Sequence, residues 1–243
     1  MGTSTNYKAP TTPEWSRVKG LVTRIGHRGT PTDEQAAQII REFIGANGGA
    51  RSVARGQGQI GQGKAAQHVL QRLGAFSSFV LQRGLNGTLE VLNLQALAAM
   101  DLNDLMLSLT DYLGGPADTI EEIDARNALS RLMDELFADI TSIEELEQIL
   151  NERFQWEDFS NIFKTYFSYY LFEQFARIFY ERLVTKIGEI ATKAYMNSIL
   201  DYIKSSVQLL TLNTDISNVD WNGTDGEEMA AQIFEEVLVV FGG

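Results

Sequence analysis

Half of the aromatic side chains of this protein fall in one short stretch: 12 of its 24 Phe, Tyr and Trp residues lie between Phe154 and Tyr180. From there to about Leu212 the chain has no Pro and a single Gly, Gly188. Phe159, Phe163, Tyr166, Phe167, Tyr170, Phe175, Phe179 and Leu183 recur at helical intervals and cover more than one face. That pattern predicts one long helix, or two with a tight break, surrounded by other helices. An exposed aromatic stripe could instead stack nucleic-acid bases, but base stacking comes with a positive groove, and Lys164, Arg177 and Arg182 are the only cations here. The aromatic helix therefore reads as core.

Its neighbours read as helices too. Thr32 precedes Ala36, Ile39, Ile40 and Phe43 at amphipathic spacing, with Gly45, Gly48 and Gly49 as the stop. Seven of the nineteen residues from Gly45 to Gly63 are Gly, so this stretch is either a flexible loop or helix segments packed very closely. A stripe from Ala65 through Val69, Leu70, Leu73 and Phe76 to Val80 follows, closed at Gly84 and Gly87. Residues 88–113 read as one or two helices ending before Gly114-Gly115-Pro116. Asp118 with Glu121, then Ser142 with Glu145, resemble capping boxes that open two more. A polar loop, Asn213 to Gly226, leads to a last helix from Glu227 to Phe241 with Met229, Ile233, Val237 and Val240 inward. Strand signals are almost absent, so the fold class is all-α.

Charge divides the chain. Residues 1–93 carry 11 Lys and Arg against 5 Asp and Glu, whereas residues 94–243 carry 9 against 27. The first 32 residues hold Lys8, Arg17, Lys19, Arg24 and Arg28 against Glu14 alone, among Thr, Ser, Gly and Pro. Three segments follow: a flexible basic N-terminal tail (1–31), a Gly-rich basic helical segment (32–93) and an acidic helical bundle (94–243), the last two forming one compact unit. Within the tail, Trp15, Val18, Leu21, Val22 and Ile25 keep helical spacing, so residues 14–25 can dock as a short helix or strand.

Several chemistries drop out. The chain has no Cys and two isolated His, His27 and His68, which removes thiol chemistry and makes metal-free the default. No run approaches the 18 or so apolar residues of a membrane span, and the start lacks the apolar centre of a signal peptide, so a cytoplasmic protein is expected. Gly56, Gly58 and Gly61 match G-x-G-x-x-G, and Gly58 to Lys64 matches G-x-x-x-x-G-K. Both patterns need a hydrophobic strand feeding the loop, and Gly49 to Arg55 is not one. Position 65 is Ala, where a magnesium-binding hydroxyl is required. The glycines suit close approach of a helix to another backbone, leaving Arg51, Arg55 and Lys64 as a possible anion contact. Paired carboxylates such as Glu121 and Glu122 sit at helix starts and favour the helix dipole. With no catalytic constellation and no cofactor motif, the expectation is a non-enzyme without cofactor.

The start MGTSTN, the Pro10, Pro13 and Trp15 tail, the Gly-Ala-Arg stretch from Gly48 through Lys64 to Leu73, and the acidic segment Gly114 to Leu136 with Asp124-Ala125-Arg126-Asn127-Ala128 resemble the QatB family. That family is the small helical component of a four-protein anti-phage defence system, alongside an ATPase, a TatD-like nuclease and QatC, a protein similar to the QueC synthase that makes 7-cyano-7-deazaguanine. The resemblance implies that a QatC-like enzyme conjugates a deazaguanine to the Gly2 amine once Met1 is lost. It makes Gly2 the modification site and Thr3, Ser4, Thr5, Asn6 and Trp15 the recognition tail. The basic half keeps an alternative open: an adaptor that binds nucleic acid or regulates the ATPase.

Overall fold

The computed structural model describes residues 10–242 except 61–62, 213–215 and 217–218. Among the described residues there are ten α-helices and no strand. They are α1 Pro13–Gly26, α2 Asp33–Ala46, α3 Ala50–Ala54, α4 Lys64–Val91, α5 Leu102–Gly114, α6 Ile120–Leu136, α7 Ile143–Arg153, α8 Trp156–Ile187, α9 Glu189–Gln208 and α10 Thr224–Val239. A 3-10 turn, Gln95–Ala99, joins α4 to α5.

Helix α8 packs against α1, α4, α6, α9 and α10. Its rings continue into theirs. Phe159 and Phe163 lie 4.2 Å apart by centroid, Phe163 meets Trp221 edge-on at 5.2 Å, and Phe167 stacks on Phe234 of α10 at 4.5 Å. Farther along, Phe175 and Phe179 meet Phe43 of α2, which in turn meets Trp15 of α1. Offset and edge-to-face pairs add roughly 0.5–1.5 kcal/mol each beyond area burial, so these ring clusters tie α8 to α10 and α2, and α2 to α1. Gly188 separates α8 from α9 with φ 83°, a value an L side chain rarely adopts. Of the two readings of residues 154–212, the chain takes the pair of helices.

Four expectations need correction. Residues 1–31 do not form a flexible tail throughout, because α1 begins at Pro13 and buries Trp15, Val18, Leu21, Val22 and Ile25 against α2, α8 and α9. Five apolar side chains on one face outweigh the entropy of ordering those two dozen backbone dihedrals. Pro31 is also fixed, its carbonyl accepting from the Ser198 hydroxyl of α9 at 3.0 Å. Second, Thr119 rather than Asp118 caps α6: its hydroxyl accepts from the Glu122 N–H, and Glu122 accepts from the Thr119 N–H. Third, the inward stripe of α10 is Ala230, Ile233, Phe234, Val237 and Leu238, with Met229 half-buried and Val240 exposed. Helix α4 also runs past Gly84, where it kinks, to Val91.

Candidate functional site: the root of the N-terminal leader

The basic start of the chain enters the described structure at Pro10, just ahead of α1. Pro13 occupies the first turn of α1, where its missing N–H costs nothing. Thr12 caps the helix, its hydroxyl accepting from the Trp15 N–H at 3.5 Å. Immediately upstream, Lys19 Nζ donates to the Pro10 carbonyl at 2.7 Å. Burial, with a smaller contribution from the charge of Arg182, holds the Lys19 ammonium below the ordinary lysine range. Arg182 Nε donates to Thr23 Oγ1 at 2.9 Å, and Thr23 donates to the Lys19 carbonyl. Two cations, Lys19 and Arg182, therefore lie close together beside Pro10, while Arg24 and Arg28 are exposed toward the other end of α1 and its turn.

Trp15 anchors this root. Its side chain is fully buried, edge-on to Phe43 at 5.7 Å, and the indole N–H donates to Gln59 Oε1 at 3.0 Å. Trp15 is therefore a core residue, and its assignment to a recognition tail is corrected: reading it from outside would require undocking α1. Gly2, Thr3, Ser4, Thr5 and Asn6 lie outside the described residues.

Gln59 leads into a set of polar pins that fix the Gly-rich segment. Asn47, just after α2, accepts from the Ile60 N–H with its side chain at 2.8 Å and from the Gln59 N–H with its carbonyl at 3.2 Å. The Ile60 carbonyl accepts from Arg177 Nη2 of α8 at 3.0 Å. Arg177 Nε also pairs with the buried Asp124 carboxylate of α6 at 2.8 Å. Burial pushes the Asp124 carboxyl up to about 6, and Arg177 offsets only part of that. Next to it, Gln174 donates to the Tyr170 hydroxyl at 2.9 Å, and burial raises both Tyr166 and Tyr170 well above the usual tyrosine range. Asn47, Gln59 and Arg177 do not stand out by local spacing. Asp124 carries one readable signal: with Ile120 and Ala128 at i−4 and i+4 it interrupts an apolar stripe.

The glycine motif has a structural use. Gly63 has φ +69°, and a Cβ there would meet Phe234 at 2.6 Å and the Val53 carbonyl at 3.0 Å, so the turn into α4 is pressed against α10 and α3. The Ala65 N–H, which a phosphate would occupy in a nucleotide loop, donates to Glu121 Oε1 at 3.1 Å. Glu122 caps its own helix while Glu121 caps α4, so the two adjacent carboxylates serve two different helix starts. Gly61 lies outside the described residues. Arg51, Arg55 and Lys64 are all exposed and have no ion pair among the described residues; the first two sit one turn apart on α3 and its cap. His27 and His68 are exposed. No group of three His, Asp or Glu among the described residues could hold a metal ion, and no helix there is long and apolar enough to cross a membrane.

Comparison with known proteins places this geometry in context. Residues 48–241 match the family model described as Qat anti-phage system associated protein QatB, a span that runs from α3 to the end of α10. Neither a search of curated proteins nor a search of solved structures returns a match.

Proposed function

Because the chain belongs to the QatB family, the Qat anti-phage system associated proteins, we propose that it serves this defence system as a protein substrate rather than as a catalyst. Its Gly2 amine, freed by loss of Met1, is offered to a QatC-like partner enzyme for conjugation of a deazaguanine. The observation that supports this reading is the match of residues 48–241 to the QatB family model.

Chemistry favours that amine. An α-amino group has an ordinary pKa of about 7.7–8.0 against about 10.4 for lysine, so near neutral pH it holds a far larger unprotonated fraction than an ordinary lysine side chain. Glycine adds no Cβ to obstruct attack. Thr3, Ser4, Thr5 and Asn6 are small enough to enter a narrow channel, and the cationic pair Lys19 and Arg182 suits an acidic approach surface on the partner. On this reading the chain works in the cytoplasm, with the Qat ATPase and TatD-like nuclease as further partners.

Intact-mass and peptide mass spectrometry of the chain co-expressed with the QatC-like enzyme tests it. The expected result is a deazaguanine adduct on Gly2 that is lost in Gly2→Pro. A mark that survives in that variant, or no mark at all, ends the proposal. Arg51, Arg55 and Lys64, exposed and without an ion pair among the described residues, support a second reading, a nucleic-acid contact. It requires binding of a short DNA duplex that weakens steeply with salt and falls on replacing all three by Ala.

A further inference from the structure

The wall of the bundle farthest in character from the cationic pair Lys19 and Arg182 is α5 and α6. Residues 94–152 carry 14 Asp and Glu against Arg126 and Arg131 alone. Both arginines are committed: Arg126 pairs with Asp111 and donates to the Gly115 carbonyl, and Arg131 pairs with Glu173 of α8 at 2.6 Å. Asp104, Asp134 and Asp139 are exposed and have no ion pair among the described residues.

Between the two helices runs an open trough of about 600 Å³, floored by Met106, Met133, Phe137 and Ile140 and edged by Leu107 and Asp134. Leu107 is 62% exposed, an unusual position for a leucine on a helix whose Leu105, Leu109 and Leu113 are buried. The apolar stripe continues beyond the trough, because Ile123, seven residues before Ser130 on the same face of α6, is 44% exposed. The walls are preformed. Arg72 donates to the Leu113 and Gly114 carbonyls at 2.8 and 3.0 Å, and with Arg126 it satisfies the carbonyls at the end of α5.

We infer that this trough is a docking groove for a basic amphipathic helix of a partner protein. The α5 face from Leu102 to Thr110 spans about 12 Å, the length of two turns of a guest helix and enough for apolar anchors at i, i+3 or i+4, and i+7. Unbranched, polarizable methionines adapt to whichever anchors arrive. Asp134, which edges the trough without an ion pair among the described residues, favours a cationic guest, and with exposed Asp104 and Asp139 it repels a second copy of the same acidic face. The inference goes beyond the modification of Gly2 and does not depend on it.

A fluorescein-labelled 18-residue helix of Leu and Lys, with leucines on one face, is titrated with the full chain by fluorescence anisotropy. A peptide of the same composition with its leucines scattered serves as control. The expected result is micromolar affinity for the first peptide, weaker at high salt, with the scattered peptide at least about tenfold weaker. Exposed Leu107 and Asp134 permit substitution without disturbing the core. Leu107→Lys with Asp134→Lys should lower affinity about tenfold, while the equal charge change of Glu227→Gln with Glu228→Lys on α10 should lower it less than about threefold. Equal losses in the two variants, equal binding of the two peptides, or a dimer by sedimentation that Leu107→Lys dissociates would each overturn the assignment.

Discussion

The indole N–H of Trp15 donates to Gln59 Oε1 at 3.0 Å across 44 positions of sequence, which locks the first helix to the Gly-rich segment. Trp15→Ala should cost about 3–5 kcal/mol, the range for emptying a large buried ring. Gln59→Ala should cost about 1 kcal/mol, because Gln59 is exposed and water can replace its oxygen. Urea unfolding of both variants separates the packing contribution from the hydrogen bond.

Asp124 makes stability depend on pH in a definite direction. Its carboxyl is raised from 3.8 to about 6, so the folded state holds this proton more tightly than the unfolded chain. Its contribution is fully present below pH 3.8 and is lost as pH rises through 6. Asp124→Asn removes the titration, so the stability gap between native protein and variant should change by roughly 3 kcal/mol between pH 3.5 and pH 7, shifting toward the variant as pH rises. Paired urea titrations at the two pH values measure it, and a gap that stays constant excludes the mechanism.

Arg177 joins that carboxylate to the Ile60 carbonyl. Arg177→Met leaves Asp124 buried without its cation and should cost about 3–5 kcal/mol at neutral pH. The loss should be accompanied by faster proteolysis between Arg55 and Lys64, since one of the pins on that segment has gone. Limited proteolysis with end-group mapping reads the second effect independently of the first.

A Cβ on Gly74 would lie 2.2 Å from the Trp221 ring, closer than any real contact. Gly74→Ala should cost about 1–3 kcal/mol or more through overpacking. Trp221→Ala should cost about 3–5 kcal/mol through the void it leaves. Together the two should cost less than their sum, because the added methyl partly fills the cavity. A double-mutant cycle in urea reports that coupling, and strict additivity would exclude the contact.

The helices were legible wherever one apolar face repeated without interruption. The Ala36, Ile39, Ile40, Phe43 stripe predicted α2, and the aromatic run predicted a buried helix before Gly188. Legibility failed where two candidates for a local role stood side by side. Asp118 and Thr119 both suit an N-cap; with Thr119 as the cap Glu122 falls at N3 and closes the box, which leaves Glu121 to accept from the Ala65 N–H of α4. The polar pins were harder still. Arg177 and Ile60 are 117 positions apart, and no periodicity relates them. Nor could the chain's local pattern distinguish a Trp15 read by a partner from one docked beneath Phe43, because helical spacing describes a face and not what covers it.

The ammonium of Lys19 fixes the Pro10 carbonyl in place, and this sets a leash. Eight peptide steps separate Gly2 from Pro10, and extended polypeptide advances at most about 3.6 Å per step. The glycine nitrogen is thereby confined to a sphere of about 29 Å around that anchor. If Gly2 is modified as proposed, a catalytic chamber whose mouth lies outside this radius reaches it only after the Lys19 contact breaks, and a deep chamber brings the enzyme close against α1.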